Sequence, residues 1–241
     1  MGRGGFEPPK ALGQLIYSQS RLTTSVSARP RDFTDNRPVP NRRLILWQGL
    51  TAPSLERFIL TPSWKGFELR GLILQTHPDV SYVVRYTIQA DSSWSTRDVE
   101  VEIENGGHKR MRLTRTPAGE WARDGQGIAD IDGCHDVDLE WSPSTNTLPI
   151  RRLRLGLDDR ATLAAAWIRL PSLEVERLEQ SYERLAGRRY RYRSGRFSAE
   201  LEVDEDGLVL DYEGLWKAVA SSGDLSTAPT TAGGPDGGKG R

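Results

Sequence analysis

The stretch DGCHDVDLEWSPSTNTLPIRR at residues 132–152 gathers side chains that could do chemistry. It contains the single cysteine of the chain, Cys134, followed by His135 and then by Asp136 and Asp138. A thiolate and an imidazole can bind a metal ion or form a nucleophile with its base. Two carboxylates can share the general acid and base roles of a hydrolase. The local backbone determines which of these chemistries is possible.

Strand geometry separates the two most reactive side chains of this stretch. The sequence predicts a strand at 134–141, and consecutive strand residues point to opposite faces. Cys134 then shares a face with Asp136 and Asp138, whereas His135 points away from them. A face of one thiolate and several carboxylates suits no common metal ion, and Cys134 has no base beside it. We therefore expect a buried, unreactive Cys134, and neither a metal site nor a cofactor nor a catalytic residue.

The two aspartates keep several interpretations open. Asp136 and Asp138 would lie about 6.5–7 Å apart on one strand face, a spacing that still allows acid–base hydrolysis. If 150–157 forms a second, antiparallel strand, Asp138 lies opposite Arg152 and Asp136 opposite Arg154. The four charges then neutralise each other across the strands. If this face lines a cavity instead, the same side chains would contact sugar hydroxyls or phosphates.

Other candidate contacts flank this predicted ladder. Asn146 lies in the connection Ser142–Pro149, which two prolines stiffen, and would shape the rim of a site. Of the seven tryptophans, Trp141 and Trp167 have apolar neighbours on the same strand face and are predicted in the core. Trp94 and Trp121 lie beside predicted turns and are candidates for apolar contacts to a ligand.

Alternation with a period of two residues dominates the sequence from about residue 44 to 216. In RDVEVEIENGGHKRMRL, a three-residue loop at Gly106–His108 would place Ile103 opposite Met111, with the apolar residues of both strands on one face. Further strands are predicted at 67–75, 134–141, 150–157, 162–170, 189–193, 197–203 and 208–212. Short strands joined by polar turns indicate an antiparallel sandwich or barrel.

One segment contradicts this pattern. In SLEVERLEQSYERLAG, Val175, Leu178, Tyr182 and Leu185 are spaced as on one face of a helix. Gly187 follows as a possible helix end. The local pattern therefore favours a helix at 173–186 over a strand.

Composition limits the class of protein. The 33 basic residues balance the 33 acidic ones, so we do not expect a nucleic-acid partner. One cysteine excludes an internal disulfide. The sequence contains neither a run of 18 apolar residues nor the apolar core of a secretory signal, so we expect no transmembrane segment and a cytoplasmic location. Residues 1–42 and 218–241 are predicted to be disordered, which leaves a folded domain at 43–217.

The order of motifs resembles a known family. YTIQADSSWSTRDVEV, GEW at 119–121 and GC-x-DVDL followed by P-x-TNTLPIRRL resemble the bacterial glycolipid-binding family, a former domain of unknown function, over about residues 44–217. The resemblance implies a mainly β fold, an antiparallel barrel-like or half-barrel sheet with few short helices, likened to periplasmic lipoprotein carriers. It also favours a strand near 173–183.

The resemblance further implies a function, namely non-enzymatic binding of an amphipathic ligand such as a glycolipid in a concave sheet face. Polar contacts would come from Asp136, Asp138, Asn146, Arg152 and Arg154, and apolar contacts from Trp94 and Trp121. The alternatives are a hydrolase of a glycosyl or acyl substrate that uses Asp136 or Asp138, and a scaffold domain without a small ligand. The oligomeric state and the ligand stay open.

Overall fold

A computed structural model describes residues 41–76 and 79–223 of the chain. The strands are β1 (Arg43–Gly49), β2 (Ser54–Ser63), β3 (Gly66–Thr76), β4 (Ser81–Asp91), β5 (Thr96–Glu104), β6 (His108–Arg115), β7 (Trp121–Arg123), β8 (Gln126–Gly127), β9 (Asp136–Leu139), β10 (Arg160–Ile168), β11 (Val175–Ala186), β12 (Arg189–Ser194), β13 (Phe197–Val203), β14 (Val209–Tyr212) and β15 (Trp216–Ser222). The helix α1 spans Thr147–Leu153, and 3-10 turns span Ala129–Ile131 and Ser144–Asn146. The fold is mainly β, as predicted.

All these strands belong to one sheet. Strand β1 lies between β2 and β15, and the strands follow in order from β1 to β8 on one side and from β15 back to β9 on the other. Neighbouring strands are antiparallel, except that β9 runs parallel to β10. The sheet ends at β8 and β9 and is not closed into a barrel. Among the described residues, no helix is long and apolar enough to span a membrane.

The segment Gly133–Val137 links the two ends of this open sheet. The Gly133 amide donates to the Gly119 carbonyl at 3.0 Å, and the Thr96 amide donates to the His135 carbonyl at 2.9 Å. From Asp136 onward the same segment continues as β9 and pairs with β10. The segment Gly133–Val137 therefore connects the β5–β7 region to β10.

The core lies on the inner face of the sheet. Alternating strand residues such as Phe58, Leu60 and Val101 are fully buried there. The edge strand β9 adds Leu139 to this core, and helix α1 adds Leu148. Each buried leucine of this kind contributes ~1.5–3 kcal/mol. Most of the inner face is therefore filled by the protein's own side chains.

The predicted β5–β6 hairpin has an odd-numbered loop, as expected, but its register differs by two residues. Glu104 pairs with His108, so the loop is Asn105–Gly107 rather than Gly106–His108, and Met111 lies opposite Val101 instead of Ile103. The shift preserves the faces because two residues are one full strand period.

Two segments form the opposite type of secondary structure from the one that their local sequence pattern favours. The predicted strand 150–157 is wrong, since Thr147–Leu153 forms helix α1. Pro149 fits the first helical turn, where its missing N–H costs no hydrogen bond. The helix that the local pattern favours at 173–186 does not form, and the strand that the family resemblance favours near 173–183 does. Strand β11 occupies this segment and pairs with β10 over nine positions and with β12 on its other side, and these two ladders outweigh local helix preference.

The ends of the described region modify the predicted boundaries. Strand β15 continues to Ser222, and Leu44, Ile45 and Leu46 of β1 pair with its last residues. The ordered part thus extends five residues beyond the predicted limit at 217. The predictions of disorder for 1–40 and 224–241 lie outside the described residues.

Candidate functional site

Asp136 and Arg152 are brought together, although not across two strands. Arg152, in the last turn of α1, donates from Nε to Asp136 Oδ1 at 3.1 Å and from Nη2 to Oδ2 at 2.5 Å. Asp136 is fully buried. Burial raises the pKa of its carboxyl, and the bonds from Arg152 oppose that rise. The pair joins β9 to α1 and leaves this carboxylate little capacity for a ligand.

The rest of the predicted Asp–Arg ladder does not form. Arg154 caps the end of α1 in a left-handed conformation with φ of 47°, and it lines a cleft to which neither aspartate contributes. Asp138 bonds instead to Gln180 and Thr145. The ladder fails because 147–153 is helical, so its arginines do not alternate across from β9.

Cys134 and His135 both contact other residues of the protein rather than forming a reactive pair. The Cys134 side chain is fully buried, and burial raises the pKa of its thiol. Its carbonyl accepts hydrogen bonds from Arg115 Nε at 2.8 Å and Trp121 Nε1 at 3.0 Å. His135 points toward Ser95 Oγ, 3.3 Å from its Nδ1. Within residues 41–76 and 79–223, no group of three or more His, Cys, Asp or Glu side chains is arranged to hold a metal ion.

The tryptophans are distributed differently from the prediction. Trp94 and Trp121, predicted as ligand contacts, are each 2% exposed and belong to the core. Trp94 stacks on Phe67 with ring centroids 3.7 Å apart, so neither indole offers a face to a ligand. Trp167, predicted in the core, is half-buried and lines an open cleft. Proximity to a turn does not reveal which way a side chain points.

This cleft, which we call the aromatic cleft, combines polar and aromatic side chains around a volume of about 340 Å³. Its polar residues are Asp138, Glu140, Ser142, Asn146 and Ser194, and its apolar residues are Trp167, Leu178, Tyr192, Phe197, Tyr212, Leu215 and Trp216. Two of the predicted contacts, Asp138 and Asn146, therefore lie in one site. The wall opposite them comes from β12–β15, which the prediction did not include.

Hydrogen bonds fix the two predicted polar residues at the base of the cleft. Asp138 Oδ2 accepts from Gln180 Nε2, and its Oδ1 accepts from Thr145 Oγ1 at 3.4 Å. Burial raises the pKa of Asp138 to about 6, so it is mainly ionised at neutral pH. Asn146 Oδ1 accepts from Tyr182 Oη at 2.8 Å. A carboxylate and an amide held among aromatic rings can bind hydroxyl groups while the rings contact apolar faces.

Comparison with known proteins shows the family to which the chain belongs. The model of a family described as "Putative glycolipid-binding" matches residues 44–218. The chain belongs to this family. A crystal structure of a DUF1089 family protein from Pseudomonas aeruginosa is similar, with 29% sequence identity and a TM-score of 0.57, over 85% of this chain and 99% of that one. Comparison with curated proteins yields no match.

Behind the aromatic cleft, this member of the glycolipid-binding family has a buried polar cluster that sequence reasoning missed. Tyr86 Oη donates to Glu56 Oε1, which also accepts from Ser142 Oγ at 2.8 Å. Tyr86 further bonds to Ser144 Oγ at 2.6 Å. Glu56 Oε2 has no hydrogen-bond partner in the described part of the chain. Ser142 belongs both to this cluster and to the cleft.

Glu56 is uncharged at neutral pH, because burial raises the pKa of its carboxyl to about 8. A signal for it exists in the sequence. Glu56 shares a strand face with Phe58 and Leu60, so the two-residue period places an acid where an apolar residue is expected. Inward carboxyls of this kind are candidates for functional groups.

Proposed function

We propose that the protein binds the sugar headgroup of a glycolipid in the aromatic cleft and does not alter it chemically. The observation that carries the proposal is that the Asp138 carboxyl and the Asn146 amide line one cleft with five aromatic rings. Sugars present hydroxyls at their edges and C–H groups on their faces, so they suit such a mixture of acceptors and rings. Membership of a family described as glycolipid-binding supports the same ligand class.

The size and opening of the cleft fit a headgroup better than an acyl chain. Its volume of about 340 Å³ is at the small end of the range for ligand sites. Phe197, at 42% exposure, provides an apolar rim where the first part of a lipid chain would lie. Most of the inner face of the sheet is filled with core side chains. Three core residues, Tyr192, Tyr212 and Trp216, also line the aromatic cleft, which leaves this part of the face open to a ligand.

The hydrolase alternative has less geometric support. It requires two carboxyls beside one substrate, whereas Asp136 is bonded to Arg152 and does not line the aromatic cleft. Glu140 does line it together with Asp138, but its Oε2 accepts from the Leu170 amide at 2.7 Å. Binding without turnover is the function that this arrangement supports best.

Titration of n-octyl glycosides below their micelle concentration tests the proposal, with the free sugars and n-octanol in parallel. We expect binding of some glycosides, and Trp167→Ala or Phe197→Ala should weaken it about tenfold, as expected for loss of one stacked ring. Trp64→Ala is the matched control, because Trp64 is 90% exposed at the β2–β3 turn and outside the cleft.

Three outcomes would contradict this assignment. They are an absence of binding across the panel, equal weakening by Trp64→Ala, and release of the free sugar from a bound glycoside. Native mass spectrometry of gently purified protein provides an independent check. A co-purifying glycolipid that Trp167→Ala removes would support the proposal.

A further inference from the structure

We propose that a second cleft, lined by four arginines, binds a phosphoryl group. This arginine cleft has a volume of about 320 Å³. Its lining includes Arg151, Arg154, Arg184 and Arg188. It shares no lining residue with the aromatic cleft, so the inference does not depend on the proposed function.

Three elements bring these arginines together. Arg151 lies in the last turn of α1 and Arg154 is its C-terminal cap. Arg184 is near the end of β11, and Arg188 lies in the turn between β11 and β12. The turn follows β11 directly, but helix α1 is separated from both of them in the sequence by strand β10. Their meeting at one concave site is a result of the tertiary fold.

The positive charge of the cleft is only partly compensated. Two carboxylates line it, but Asp204 is bonded to Arg43 at 2.5 Å and Glu205 is mostly exposed and 3.8 Å from Arg188. Within the described residues, Arg151, Arg154 and Arg184 form no ion pair. Many arginines outside the cleft are paired with a carboxylate, for example Arg85 with Glu104 and Arg112 with Asp98.

Neutral acceptors orient two of the guanidiniums without cancelling their charge. Arg184 donates from Nε to the Gly187 carbonyl at 2.8 Å and from Nη1 to the Leu155 carbonyl at 2.9 Å. Arg151 Nη1 lies 3.5 Å from the Glu205 carbonyl. Preorganised guanidiniums with N–H groups to spare bind oxyanions through charge-assisted hydrogen bonds.

Unlike Arg151 and Arg184, Arg154 is not oriented by a hydrogen bond from its side chain to another residue that the structure describes. Its side chain makes no hydrogen bond or ion pair with the described part of the chain, and its φ of 47° is one that glycine usually adopts at a helix end. This left-handed conformation ends helix α1, but it does not engage the Arg154 guanidinium. Its position at the cleft supports a role in contacting a ligand.

A phosphate monoester is the ligand class that fits best. Its dianion carries three strong acceptor oxygens, which several planar guanidinium forks can bind at once. An extended nucleic acid would need a longer basic surface, and the chain has balanced charge. A phosphoryl dianion of this kind also occurs in inorganic phosphate and in a lipid whose headgroup is a phosphate monoester, and the experiment distinguishes these sources.

Isothermal titration at low ionic strength tests the site with two probes, inorganic phosphate and dihexanoyl phosphatidic acid below its micelle concentration. Arg154→Gly is the informative variant, because glycine adopts the left-handed conformation without strain and the fold should be retained or stabilised. We expect it to weaken binding about tenfold or more, and Arg154→Lys to weaken it less. Arg57→Ala, an exposed arginine of β2 outside the cleft, should leave affinity within about twofold.

The source of the phosphoryl group follows from the probe that binds. Binding of both probes with loss in Arg154→Gly supports a phosphate site in general, and binding of the lipid alone with the same loss supports a lipid headgroup. Failure of the wild-type protein to bind either probe would overturn the proposal. So would equal losses in Arg154→Gly and Arg57→Ala, since these would show a diffuse effect of net charge.

Discussion

Gly71 and Tyr86 lie opposite each other on β3 and β4, and a Cβ at position 71 would come within 2.0 Å of Tyr86 Cε1. Because Gly71 has no side chain, the Tyr86 ring can pack directly over the backbone at position 71. From there the Tyr86 hydroxyl reaches Glu56 and Ser144. A glycine inside a strand is unfavourable by itself, and here it allows a buried polar cluster to form behind the aromatic cleft.

Gly71→Ala should be strongly destabilising, because the tyrosine must move and lose its buried hydrogen bonds. We expect the free energy of unfolding to fall by about 2–4 kcal/mol in urea denaturation. Gly107→Ala is the control, since nothing lies within 4 Å of a Cβ at that hairpin position. A small effect at position 71 would show that the ring can shift at little cost.

Arg152→Met should destabilise the protein by roughly 3–5 kcal/mol, because it leaves the buried Asp136 carboxyl without its ion-pair partner. The double variant Asp136→Asn with Arg152→Met should be more stable than Arg152→Met alone. Arg85→Met removes an exposed ion pair with Glu104 and should cost less than about 1 kcal/mol. Chemical denaturation measures all three. Equal losses at positions 152 and 85 would contradict a structural role for the buried pair.

Glu56 should make the stability depend on pH. Its pKa is about 8 in the folded protein and near 4.5 in the unfolded chain. Between these values the folded state keeps a proton that the unfolded state has released, so the free energy of unfolding decreases as pH rises. The slope is at most about 1.4 kcal/mol per pH unit, and the Glu56 contribution levels off above about pH 8.

Glu56→Gln removes the titrating group while preserving its shape. The difference in unfolding free energy between the wild-type protein and this variant should therefore change across roughly pH 6 to 8. Urea denaturation at several pH values gives this difference directly. A constant difference over that window would mean that Glu56 is already ionised in the folded state.

Ligand binding in the aromatic cleft should tighten as pH rises through about 6, where Asp138 ionises. The carboxylate accepts hydroxyl hydrogen bonds more strongly than its protonated form. Asp138→Asn should bind the same glycoside more weakly and without this pH dependence, as measured by titration across that range. Glu140→Gln, in the same cleft, should retain the pH dependence of the wild-type protein. If Asp138→Asn retains it as well, another group is responsible.

Much of the architecture could be predicted from the sequence because it depends on a local period. Alternation of apolar and polar residues identified most of the strands, including β3, β10, β12 and β13, and it gave the correct faces of the β5–β6 hairpin. Alternation also separated Cys134 from His135. The family was recognisable from the order of its motifs. These inferences need only a side chain's type and its position along a strand.

The candidate site depends on what lies far away in sequence. Asp138 and Asn146 were identified from their types, but the rings of β12–β15 that face them are joined to them only by the fold. Arg152 and Arg154 differ in role because helix α1 ends between them and turns Arg154 into another cleft.

Strand pairing and burial determined the secondary structure of β11 and the positions of two tryptophans, which the local sequence pattern did not predict. Strand β11 has a helical spacing of apolar residues, yet two neighbouring strands satisfy its backbone and make the extended form more stable. Trp94 and Trp121 follow turns, yet their rings lie in the core. The sequence determined which residues alternate, and the tertiary structure determined which face of that alternation meets solvent, a cleft or another strand, because burial is a property of distant neighbours.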